Sequence, residues 1–133
     1  MNEAASGTEH WTPFVQMDGM LIEKVFQGEV RFGPAYFKLR STPVVPGLSE
    51  RVFGDWAHRT SNGILLQQWN STAVADTELI YLDVRKGTLS TVLRELDSVD
   101  WSIGEQDHHN LILTCNNGKE TVIYQISEPT LSY

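Results

Sequence analysis

One cysteine, Cys115, is all the thiol this chain carries. It excludes an internal disulfide and a cysteine-ligated zinc site, and it favours a reducing compartment. Long apolar runs are missing: none approaches the ~18 residues that a membrane span needs. Residues 1–12 hold Glu3 and Glu9 but no Lys or Arg and no apolar stretch of the kind a signal peptide requires. Together these absences predict a cytoplasmic protein with no membrane partner. There is also no Gly-x-Ser-x-Gly elbow, no phosphate-binding glycine loop and no His-Glu-x-x-His. The expectation is a protein that is not an enzyme, with no metal and no cofactor.

Basic charge is scarce. Ten Lys and Arg stand against 17 Asp and Glu, for a net charge of −7. The deficit lies at the ends: residues 1–23 have four acids and no base, and residues 95–133 have seven acids and one Lys. Phosphate binding needs a basic face, so nucleic acid is excluded as a partner. An acidic surface instead steers a basic protein toward it.

What the chain does have is aromatic and apolar residues in short alternating runs. Four Trp, four Tyr and five Phe among 133 residues suit one domain with a real core. Residues 1–19 read as a loosely ordered lead-in and residues 20–133 as a single β domain. The most informative pattern is a segment that recurs at a 43-residue step: Ala35 to Ser41, Glu78 to Val84 and Thr121 to Ser127. Each copy has an aromatic within alternating large apolar residues, which is a strand signature. The fold class this predicts is mainly β, with antiparallel hairpins in blade-like repeats of about 43 residues.

Leu21 to Phe26 and Glu29 to Phe32 read as a hairpin around Gln27-Gly28, and Gly33-Pro34 punctuates the chain after it. Pro43 and Pro46 bar the stretch from Thr42 to Ser49 from any central strand. Asn62-Gly63 and Asn117-Gly118, each between apolar runs, predict two further hairpins with type I′ turns. The segment 89–96 is open between two readings. Leu89, Val92, Leu93 and Leu96 lie on one face of a short helix, whereas the repeat makes the same stretch a strand.

Trp101-Ser102-Ile103-Gly104, then Asn110 to Thr114, then Val122 to Ile126 resembles a β-propeller blade of the TolB and WD40 type. Gly54-Asp55-Trp56, Gly63 to Gln67 and Glu78 to Val84 look similar, so the likeness spans residues 52–127. The Ser-Pro-Asp-Gly turn of TolB blades is replaced by Thr60-Ser61-Asn62-Gly63. The resemblance implies a scaffold that presents surfaces, with Trp56 and Trp101 in equivalent core positions. Three units do not close a ring, since propellers use ~4–8 blades. An open stack, a ring completed by homo-oligomer formation, and a coincidental repeat all remain open.

Candidate chemistry is sparse. Asp107-His108-His109 with His58 suggests a metal site, but adjacent strand residues point to opposite faces and no pair has metal-ligand spacing. Cys115 sits in an apolar strand, where a thiol is usually a small buried hydrophobe. Asn70-Ser71-Thr72 matches the glycosylation sequon by accident if the chain is not exported. The expected function is a non-catalytic protein-binding module, in its concrete form a small bacterial immunity-type inhibitor that covers a toxin. Its partner-binding residues would be Asp97, Asp100, Glu105 and Asp107, meeting a basic surface, with Trp69 as an apolar anchor. Two alternatives stand beside it: a small-ligand site or enzyme of unknown chemistry built on His58, Arg59, His108 and His109, and a self-assembling β protein.

Overall fold

The computed structural model describes residues 10–29, 35–71, 73–107 and 110–127. They are almost wholly strands, with one 3-10 turn at Leu48–Glu50 and no α-helix among the described residues. Seven strands run in sequence order through one antiparallel meander: β1 (Thr12–Met17), β2 (Met20–Glu29), β3 (Ala35–Thr42), β4 (Val52–Arg59), β5 (Gly63–Trp69), β6 (Thr77–Asp83) and β7 (Thr88–Leu96). The remaining three, β8 (Asp100–Glu105), β9 (Asn110–Asn116) and β10 (Thr121–Ser127), form a second sheet with β9 in the middle. The mainly β, hairpin-built fold class is the observed one. All three copies of the 43-residue segment are strands, but they are sheeted as seven and three rather than in separate blades.

Two cores account for this arrangement. Ile22 and Leu39 from the first strands pack with Phe53, Ile64, Leu66, Ile80 and Leu82. On the opposite side of β5 and β6, Leu65, Leu79 and Tyr81 pack with Trp101, Leu111, Leu113, Cys115 and Ile126 of the small sheet. Strands β5 and β6 are therefore covered on both faces. That is why Ile64-Leu65-Leu66 is a continuous apolar run, whereas β9 and β10, with one face outward, alternate. The long sheet can fold over itself because β3 and β4 share only the Phe37–Phe53 register pair. The β4–β5 ladder is also interrupted between Phe53 and Ala57. Across that break Phe53 faces the first core, and Trp56 packs against the second.

Several expectations change in detail. Of the segment 1–19 expected as a loose lead-in, residues 1–9 lie outside the described residues and Thr12–Met17 forms β1. Its turn into β2, Asp18-Gly19, has positive φ at both positions, as a type I′ hairpin turn demands. The segment around Gln27-Gly28 is not a hairpin but a register shift inside one strand, β2. Gly33-Pro34 lies outside the described residues, as does Thr72 of the sequon. Both Asn-Gly hairpins exist with their turns displaced by one residue. Thr60 N–H donates to the Gly63 carbonyl at 2.8 Å, so Ser61-Asn62 is the turn and Gly63 opens the strand. Asn117 N–H donates to the Glu120 carbonyl at 3.2 Å, which centres that turn on Gly118-Lys119. Only Gly118 has positive φ there, the pattern of a type II′ turn.

Cys115 is a buried free thiol facing the second core. Burial, and after it the charge of Asp97, push its pKa from the ordinary 9.0 up to about 11. The unfolded thiol ionises first as pH rises, so its contribution to stability is complete below about pH 9 and is lost toward pH 11. Urea unfolding of wild type and Cys115→Ala between pH 8 and 11 should show the gap between them closing with pH. A parallel pair of curves would contradict this assignment.

Candidate functional site

Strand β8 joins the two clefts that carry the sequence-predicted residues. At its N-terminal end, the β7–β8 loop meets the β5–β6 loop and the β9–β10 turn. They enclose an open cleft of about 550 Å³, lined by Val74, Ala75, Asp97, Val99, Asp100 and Asn117 among others. Val74 is 60% exposed, so the apolar floor is open to solvent. Asp97 and Asp100 stand exposed on its rim.

The rim is pinned from beneath by a polar network. Buried Ser98 donates from Oγ to the Asn116 carbonyl at 2.6 Å, tying the loop to β9. The Ser98 carbonyl accepts from Thr77 Oγ1 at 2.8 Å and from Trp101 Nε1 at 3.0 Å. The Val99 carbonyl accepts from Gln67 Nε2 at 3.1 Å, which reaches across from the long sheet. Asn117 Nδ2 donates to Asp97 Oδ2 at 3.1 Å. Two exposed carboxylates are thus held on a backbone with few ways to move, which lowers the ordering cost of any contact they make.

At the other end of β8, Glu105 enters a second cleft of about 680 Å³. It is bounded by Met17 and Asp18, by His58 and Arg59 with Thr60 and Ser61, and by Leu111. His58 Nε2 is buried and meets no hydrogen-bond partner among the described residues. Arg59 donates from Nη1 to the Gln16 carbonyl at 3.2 Å. Asp107 lies in the β8–β9 turn, where both carboxylate oxygens accept from Asn110 Nδ2, at 3.0 and 2.9 Å.

The four acids therefore do not share one patch. Five residue steps of extended strand, about 17 Å, separate Asp100 from Glu105. Asp97 and Asp100 define one cleft; Glu105 borders the other, with Asp107 in the turn that follows β8. Trp69, expected as an anchor, is 5% exposed and donates from Nε1 to Gln67 Oε1 at 3.1 Å. Buried in this way, it offers a partner no surface, and its role is packing. His58 and Arg59 do share a cleft, while His108 and His109 lie outside the described residues. No group of three or more His, Cys, Asp or Glu is placed to hold a metal ion among the described residues. The apolar floor of Val74, Ala75 and Val99 was missed by sequence reasoning. Its only sequence signal is that Val74 and Ala75 interrupt an otherwise polar loop. No helix of the described residues is long and apolar enough to cross a membrane.

No protein-family model, no curated protein and no solved structure matches this chain. What fold and site define is a class: a small mainly-β protein whose loops present one acid-rimmed cleft and one mixed-charge cleft.

Proposed function

We propose that this chain is a non-catalytic protein-binding module whose contact surface is the cleft rimmed by Asp97 and Asp100. The observation that carries the reading is the pairing of exposed, backbone-pinned carboxylates with an apolar floor. A Lys or Arg side chain fits that pairing, its stem over Val74 and Val99 and its charged head at the acids. Loops held by a rigid sheet scaffold are the usual carriers of such contacts. The specific form is an immunity-type inhibitor that covers a toxin with a basic surface, which the net charge of −7 would attract. Capture from the native cells tests it, using tagged wild type and the Asp97→Lys/Asp100→Lys double variant. Wild type should retain one stoichiometric protein that the variant loses by tenfold or more. Equal retention by both would end the assignment of this cleft.

A second reading is favoured by the unpartnered His58 Nε2. In it, the cleft of His58, Arg59 and Glu105 takes a small polar ligand, and the imidazole turns on binding to bring that buried nitrogen to it. His58→Ala would then abolish binding of such a ligand and leave protein capture intact.

A further inference from the structure

We propose that β10 is the seam of a homodimer, pairing antiparallel with β10 of a second copy about a two-fold axis. The two three-stranded sheets would then become one continuous six-stranded sheet. Among the described residues, β10 is the sheet edge without protection. An open edge presents unpaired backbone groups, and natural sheets guard it with proline, charge, bulges or shortness. Strand β1 carries Pro13 and a register shift beside it. Strand β7 carries exposed Arg94 and Glu95, with Glu95 at φ 56, and is bulged twice against β6. Strand β8 is six residues long, with exposed Asp100 and Glu105 at its ends. Strand β10, Thr-Val-Ile-Tyr-Gln-Ile-Ser, has no charge, no proline and no glycine, and pairs with β9 through an unbroken seven-residue register.

The hydrogen-bond phase shows which groups are on offer. Asn117 and Glu120 form the bonded pair that closes the hairpin. Bonded and non-bonded pairs alternate in an antiparallel ladder, so Val122, Tyr124 and Ile126 turn their N–H and C=O groups to β9. Thr121, Ile123, Gln125 and Ser127 point theirs away from it. A two-fold centred on Ile123 pairs outward groups with outward groups. It sets Ile123, now 63% exposed, beside its own counterpart, and Thr121 beside the second Gln125. No like charges oppose each other within the paired strands, which is what makes the strand its own complement. A second copy is therefore the occupant the edge fits, in preference to a charged segment of another protein.

Each copy carries a net charge of −7, so long-range repulsion opposes the dimer and salt should tighten it. That is opposite to the salt response of an acid-rim complex, so the two proposals fail independently.

Sedimentation of the full chain across concentration and salt reads the mass. The expected result is a dimer that grows with both. Two variants should be monomeric: Gln125→Pro, which removes an outward donor without touching the β9 ladder, and Ile123→Lys, which sets two charges face to face. If the proline variant does not fold, the lysine variant and a cross-link still decide. Bonded antiparallel pairs have Cα atoms about 5.5 Å apart, inside the window for a disulfide. Ile123→Cys should therefore cross-link under oxidation and Thr121→Cys should not, and buried Cys115 will not compete. A wild type that stays monomeric up to about 1 mM overturns the proposal, including the case in which a peptide from another protein fills the edge. So does a dimer that survives both Gln125→Pro and Ile123→Lys.

Discussion

Trp101→Ala is expected to destabilise the domain by about 3–5 kcal/mol, a large part of the roughly 5–15 kcal/mol that holds a domain of this kind together. Three effects add. The indole is 6% exposed at the centre of the core between the two sheets, so its removal leaves a cavity. It packs edge-on against Trp56, with ring centroids 5.1 Å apart and planes at 77°, an arrangement that contributes about 0.5–1.5 kcal/mol beyond burial. Its Nε1 donates to the Ser98 carbonyl, so the loop carrying Asp97 and Asp100 loses one of its pins. Trp101→Phe separates these effects, since it keeps a ring and loses the hydrogen bond, at a net cost for that bond of about 1 kcal/mol. Denaturant melts of the three proteins measure both. A Trp101→Ala protein within 1 kcal/mol of wild type would mean that the small sheet does not depend on this core.

Gly63→Ala is the second large effect, expected at about 3 kcal/mol or more, with a drop in melting temperature of about 10 °C or more. Gly63 is buried at the start of β5, directly opposite Asp83. A methyl group there would run into the Leu82 backbone carbonyl and the Tyr81 ring, whose nearest atoms would be 2.6 Å away. A carbonyl inside a ladder between two covered strands has no rotamer to escape into, so the strain falls on the sheet itself. Gly104→Ala is the control. A Cβ there meets nothing within 4 Å, and the change should cost almost nothing. A thermal melt of Gly63→Ala matching that of Gly104→Ala would refute the close approach at Gly63.

Much of the local structure was legible in the sequence. The two hairpins and the alternation of β9 and β10 follow from period-two patterning and turn residues; the repeat gave Trp56 and Trp101 core positions, but not their contact with each other. The one-residue displacement of both turns was not legible. An Asn-Gly step marks where a chain reverses, but pairing on either side chooses which two residues form the turn. At Gly63 the deciding factor is a close approach to a neighbouring strand, which no local rule contains. Asp18-Gly19 carries the same turn signal, with Phe14, Val15 and Met17 before it and Met20 to Ile22 after it, but assigning residues 1–19 to a loose lead-in hides that hairpin.

The helical stripe of Leu89, Val92, Leu93 and Leu96 has a physical origin within a strand. Leu89 packs against the first core, and Val92, Leu93 and Leu96 serve the second. The bulges opposite Leu79 let adjacent Val92 and Leu93 both serve that core, which imitates a period of 3.6. The fold-over of the long sheet at β3–β4 is a tertiary event with a single register pair as its trace, and pattern alone does not carry it. The same holds for the acids. Their proximity in sequence suggested one surface, but an extended strand places Asp100 and Glu105 at opposite ends of a sheet edge.

The central claim is that Asp97 and Asp100 draw in a basic partner surface. It is tested most directly by the association rate of the captured partner with wild type and with Asp97→Lys/Asp100→Lys, each at low and at moderate salt. The account predicts a rate for wild type that falls steeply with salt, and a rate for the variant about tenfold or more lower at low salt and nearly insensitive to it. Equal rates for the two proteins, with the same salt dependence, would contradict it and move the contact elsewhere on the molecule.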